Sequence, residues 1–168
     1  MPLRRLSAMT TGTRARRAAL LAAAGAAVLA LSACEKPSPG VSVFSGTSTE
    51  HSQALCWSFD GASLDSTACA QDVIEDALRG GGVGTIPVVP GETIGISVDP
   101  TVAREGWTPV VGSQRLLETP TTSTYYRFTF PDLQEVPEAG LPLQVVAGQG
   151  DTTVGIWIFR LVPRPGIE

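Results

Sequence analysis

Thr93-Ile94-Gly95-Ile96-Ser97-Val98 alternates without a break. Ile94, Ile96 and Val98 fall on one side; Thr93, Gly95 and Ser97 fall on the other. A repeat of two is that of an extended strand with one buried face and one wet face. Pro90-Gly91 just before it is a turn pair that separates it from another apolar run at 85–89.

Outward from this stretch the same pattern recurs. Short strands are predicted at 41–45, at 54–59 with Cys56 and Trp57, at 107–111 and at 114–118. The last two flank Gly112-Ser113, a two-residue hairpin loop with glycine first. At 124–130, Tyr126, Phe128 and Phe130 share one face, and Tyr125, Arg127 and Thr129 the other. Strands at 143–147 and 153–162 close the chain around Gly148-Gln149-Gly150-Asp151. The final strand is apolar on both faces apart from Arg160, which predicts a central place in its sheet.

One segment breaks the period. At 66–79, Cys69, Val73 and Ala77 recur at helical spacing, with Ala70, Ile74 and Leu78 beside them and Asp72, Glu75 and Asp76 outside. Ser66 or Thr67 can cap its start, and Gly80-Gly81-Gly82 stops it. The whole pattern predicts a mainly β chain: an antiparallel immunoglobulin-like β-sandwich with one short helix. Trp57, Trp107 and Trp157 are expected as core anchors rather than a ligand platform.

The N-terminus follows another plan. Arg4, Arg5, Arg14, Arg16 and Arg17 precede an apolar run of 14 residues at 18–31, with no acid among them. That run is short of the ~20 residues a membrane-spanning helix needs. A basic segment, a short apolar segment and small residues form the plan of a cleaved signal peptide, predicted over residues 1–33. Leu31-Ser32-Ala33-Cys34 matches the bacterial lipobox at every position. Cys34 is then the lipid-attachment residue, expected to carry diacylglyceryl and palmitate, and two acyl chains hold where one holds marginally. An ordinary secreted protein with an incidental Cys34 is the competing reading. Met9 offers a second start, and Arg16-Arg17 leaves twin-arginine export open beside a generic basic region.

A tether is predicted at 34–40, extended by its prolines and glycine, and a single β-sandwich domain at 41–168. Five of the 12 basic residues and none of the 16 acids lie before Cys34, so the processed chain would carry a net charge of −9. An acidic surface argues against nucleic acid as a partner. The size, 168 residues with 43% hydrophobic content, suits one globular domain.

With Cys34 lipidated, Cys56 and Cys69 remain as an even pair in an oxidising compartment, read as a disulfide rather than a redox couple. The processed chain keeps one histidine, His51, in the polar stretch S-T-E-H-S, read as a solvated loop. One histidine and no free thiol supply neither a blue-copper set nor a four-ligand zinc set. No metal and no cofactor is expected. Asp132, Glu135 and Glu138 fall in a loop punctuated by Pro and Gly; they are a candidate partner-contact surface, or a set for Ca²⁺ or paired acid and base.

Several motifs together carry a resemblance. C-E-K-P follows the lipobox; Cys56 and Cys69 flank Gly61; V-V-P-G-E-T-I-G-I-S-V-D-P begins at Val88 and A-R-E-G-W ends at Trp107; Y-Y-R-F begins at Tyr125 and G-I-W-I-F-R-L at Gly155. This resembles small actinobacterial membrane lipoproteins grouped as a domain of unknown function. The resemblance spans nearly the whole processed chain. It implies a surface lipoprotein with one disulfide-bearing β domain and brings no catalytic residues with it.

The leading expectation is a non-enzymatic binding or accessory domain, lipid-anchored at the outer face of the cell membrane. Its partners would be the membrane, through the anchor, and an envelope protein, a wall polymer or a small ligand. The alternative is a cell-wall glycan enzyme with two carboxylates ~5–10 Å apart in a cleft. A structural envelope component, with a sizeable apolar patch, is the third.

Overall fold

The computed structural model describes residues 36–65, 69–131 and 137–164. The chain divides into two units, Met1–Lys36 and Pro37–Glu168. Of the first only Lys36 is described, so the predicted signal peptide, Leu31, Ser32, Ala33 and Cys34 lie outside the described residues.

The second unit is mainly β. Its strands are β1 (Gly40–Ser45), β2 (Ser48–Gln53), β3 (Cys56–Trp57), β4 (Thr85–Val88), β5 (Thr93–Val98), β6 (Trp107–Val111), β7 (Gln114–Arg115), β8 (Tyr125–Thr129), β9 (Leu141–Ala147) and β10 (Gly155–Pro163). Two helices join them, α1 (Gln71–Leu78) and α2 (Pro100–Glu105). One sheet has four strands in the order β2-β1-β5-β8, all antiparallel. The other has six, β3-β10-β9-β6-β7, with β4 also on β10.

The opening stretch is β5 to the residue. Ile94, Ile96 and Val98 point inward and are buried; Thr93 and Ser97 are exposed. Val41 and Val43 of β1 join them from one sheet. Leu143, Val145, Trp157, Phe159 and Leu161 meet them from the other, in one core. β10 is central, with β9 along one side. On its other side β3 pairs with its start and β4 with its end. Trp107 and Trp157 are fully buried and Trp57 packs against the same core. Each buried indole satisfies its N–H, Trp107 on the Ser123 carbonyl at 2.7 Å and Trp157 on that of Pro39 at 3.0 Å. Ion pairing closes one end: Arg164 Nη2 lies 2.8 Å from Glu92 Oε2, which also accepts from buried Ser45 at 3.0 Å.

Four features depart from the sequence reading. Helices number two, not one, among the described residues. Pro100-Thr101-Val102-Ala103-Arg104-Glu105 forms α2, with Pro in its first turn and Gly106 at its end. Val102 and Ala103 plug the core. Second, S-T-E-H-S-Q is the edge strand β2 rather than a loop. It has no apolar residue to reveal a period, and pairing with β1 makes it a strand. Third, β4 runs parallel to β10. Fourth, α1 starts at Gln71 with Ala70 as its N-cap and no side-chain cap. Ser66 and Thr67 lie outside the described residues.

The helix end matches its prediction. Gly80, at φ +98°, takes the left-handed conformation that follows a helix. Its N–H donates to the Ala77 carbonyl at 3.0 Å, and that of Gly81 to the Asp76 carbonyl at 2.8 Å. These are the two bonds of a Schellman stop. Val73, expected on the packed face of the helix, is 43% exposed; Ala77 takes the buried position.

Candidate functional site

The two sheets treat their outer faces differently. On the six-stranded sheet Ile158 and Arg160 point away from the core yet are nearly buried, at 3% and 8% exposure. Arg160 Nη1 donates to the carbonyls of Ala139 and Gly140 at 3.0 and 3.4 Å, and Nη2 to that of Leu78 at the end of α1. Cys56 of β3 and Cys69 are joined as a disulfide with Cα atoms 5.6 Å apart. Helix, guanidinium and disulfide thus cover this face. Between α1 and β10 a cleft of about 220 Å³ remains, with Leu64, Ile74 and Ile156 among its lining and Asp65 and Gln71 as polar groups. That is below the ~300 Å³ at which small-molecule pockets begin.

The four-stranded sheet leaves its outer face to solvent. Alternation along the strands sends Ser42 and Phe44 outward from β1, and Thr49, His51 and Gln53 from β2. Thr93, Gly95 and Ser97 follow from β5, and Tyr125, Arg127 and Thr129 from β8. Register sets these into cross-strand rows. His51, Ser42, Ser97 and Tyr125 form one, and Thr49, Phe44, Gly95 and Arg127 the next. The Phe44 ring lies on Gly95: a Cβ there would sit 2.1 Å from the ring. Tyr125, 44% exposed, runs parallel to Phe44 within 8°, their centroids 5.9 Å apart.

No outward position on these four strands is acidic. The acids at its two ends are engaged, Asp99 by the Gly40 N–H at 2.7 Å and Glu92 by Arg164. Arg127 is the one Lys or Arg among these outward positions, in a chain of formal net charge −4.

Ser42 and His51, which the sequence did not bring together, share a hydrogen bond of 3.0 Å between Oγ and Nδ1. A serine nucleophile also needs an acid to orient the histidine and donors for an oxyanion. Among the described residues no carboxylate bonds the His51 ring, and the pair sits on the open face beside the β2 edge of the sheet. The arrangement suits hydrogen bonding to a ligand better than covalent chemistry.

The other sequence candidates divide. Cys56 and Cys69 meet as predicted. Of the acidic loop only Glu138 is described, exposed beside Pro137; Asp132 and Glu135 lie outside the described residues, as does Cys34. Among the described residues no three His, Cys, Asp or Glu side chains gather as a metal set, and no helix is long and apolar enough to cross a membrane. The open face itself was half legible: Tyr125 and Arg127 share one face of their strand by alternation, opposite Tyr126 and Phe128. Their neighbours Ser42, Phe44 and His51 come from strand pairing, which periodicity does not report. No protein-family model, curated protein or solved structure matches this chain.

Proposed function

We propose that this protein is an exported lipoprotein, anchored through Cys34 at the outer face of the cell membrane, whose β domain is a non-enzymatic binding domain. Export and anchoring rest on the basic segment, the 14-residue apolar run and the lipobox ending at Cys34. The resemblance to small actinobacterial lipoproteins points the same way. The architecture is read as an immunoglobulin-like sandwich, on the strength of two sheets around one core with a buried tryptophan, Trp157, on a central strand. A disulfide between Cys56 and Cys69 suits an oxidising compartment.

The observation that carries the binding role is the uncovered face of the four-stranded sheet. It displays parallel aromatic rings and hydrogen-bonding groups on a rigid frame, with no acid among them. Binding surfaces need that combination of fixed apolar contact and oriented polar groups. Intact-mass analysis of the protein from membranes, with and without reduction, tests the anchor. The expected species begins at Cys34, carries diacylglyceryl mass and gains two hydrogens on reduction. A chain cleaved elsewhere, with free thiols, overturns the lipoprotein reading.

A further inference from the structure

We propose that the outer face of the four-stranded sheet binds a linear polysaccharide bearing carboxylates, laid across the strands on Phe44 and Tyr125 with an acid group on Arg127. This rests on the binding-domain reading above and names its ligand class.

Shape comes first. A pyranose presents a flat face of C–H groups, apolar and slightly positive, which fits the negative face of an aromatic ring. Tyr125 stacks with Phe44 at a centroid distance of 5.9 Å, and its exposed ring, braced by Phe44, is an aromatic surface that a sugar face can meet. Phe44 is fixed in place because Gly95 leaves no side chain beneath it. Its ring therefore loses little freedom when a ligand arrives.

Polar groups follow the same direction. Ser42, Ser97 and His51 lie on one row with Tyr125, one group on each strand. Strands repeat about every 4.8 Å across a sheet, so a chain lying across them meets a hydrogen-bonding group at each step. Hydroxyls and an imidazole both donate and accept, as sugar hydroxyls require.

Charge and area select among ligands. The chain is acidic overall, yet the outward positions of this face carry no acid and display Arg127. An anionic group is complementary to it, and a guanidinium pairs with a carboxylate through two parallel bonds. The processed chain's net charge of −9 opposes any polyanion charged at every unit, nucleic acid included, so a polysaccharide whose carboxylates are spaced apart fits better. Four strands of five residues span about 19 by 17 Å, or roughly 300 Å². A stable protein interface takes about 800 Å² from each partner. A thin linear chain fills this face; a second copy of the protein does not.

The test titrates the full, detergent-solubilised protein with hyaluronate and unsulfated chondroitin, both acidic at alternate units, and with the carboxyl-reduced form of each. Tyr125→Ala and Arg127→Gln are the variants, both at exposed positions, with unchanged melting temperature as the check on folding. At least one acidic polymer binds, and carboxyl reduction weakens it about fivefold to tenfold. Arg127→Gln weakens the acidic form by a similar factor and leaves the reduced form unchanged. Tyr125→Ala weakens both about tenfold. No binding across the series, or binding that neither variant alters, overturns the inference. Hydrogen exchange of the β1, β5 and β8 amides in an envelope extract then separates the two failures. Protection without polymer binding overturns the polysaccharide and leaves the binding domain standing. Absence of protection as well overturns both.

Discussion

The two outer faces are built from the same kind of strand and have opposite fates. On the six-stranded sheet, outward positions include Ile158 and Arg160, and both are buried, Arg160 against the end of α1 and its glycine turn. On the four-stranded sheet they include Ser97, Tyr125 and Arg127, all exposed. Covering a sheet demands apolar contact and a partner for every buried polar group. An open face carries no such obligation, so its side chains are free to serve a ligand. The difference locates stability on one face and recognition on the other.

Arg160→Ala is the most direct way to break that division. It removes the donor to three carbonyls, on Leu78, Ala139 and Gly140. Each unpaired buried carbonyl costs about 1–3 kcal/mol, and water entering the gap recovers part of it. A loss of about 3–4 kcal/mol in urea unfolding is expected. A loss under about 1 kcal/mol would mean that the helix is held by something other than this guanidinium.

Removing the disulfide with Cys56→Ala and Cys69→Ala comes next. The bond closes a loop of sequence separation 13, and loss of that constraint costs about 3 kcal/mol in the chain-entropy account. Amides of α1 should lose exchange protection before those of β5, because only α1 lies at the end of the released loop. Equal loss in both would mean that the covered and open faces unfold as one unit.

On the open face the informative change is Gly95→Ala. The added Cβ meets the Phe44 ring at 2.1 Å, and the ring must leave the sheet. Unfolding measurements should show about 1–2 kcal/mol lost, as for other overpacked sites. The ring-current shifts of Tyr125 report whether the aromatic pair has separated. A neutral substitution that preserves those shifts would show that Phe44 is not pressed against the strand.

Sequence legibility follows the same divide. The core was readable because burial leaves a pattern: β5 follows from alternation, β6 from the Gly112-Ser113 turn beside it, and the central place of β10 from a run apolar on both faces. The helix stop at Gly80-Gly81-Gly82 was readable because only a few residue types take positive φ cheaply. β2 was not, since both its faces are polar and its identity as a strand comes from its partner. α2 escaped although Pro100 and Gly106 bracket it, because six residues give the helical period little room to show. The open face was legible as wet and illegible as a site: Phe44 and Tyr125 are 81 positions apart in sequence, and only the β1-β5-β8 pairing sets them side by side.

The smallest expected effect concerns pH and the loop that the disulfide closes. Asp60 lies within it and accepts hydrogen bonds from Ser58 Oγ at 2.6 Å and the Ala62 N–H at 3.1 Å. The Ser58 bond first, and then the Ala62 bond, hold its carboxyl below the usual value of 3.8. Because the folded value is the lower one, the turn's contribution is present above 3.8. It is lost as pH falls through the folded value. Carboxyl chemical shifts followed by NMR should place the Asp60 midpoint below 3.8, and Ser58→Ala should move it back up. The turn is fully exposed, so global stability should barely register the change while the Ala62 amide does. If acid instead loosened α1 together with this turn, Asp60 would belong to the machinery that keeps the covered face covered.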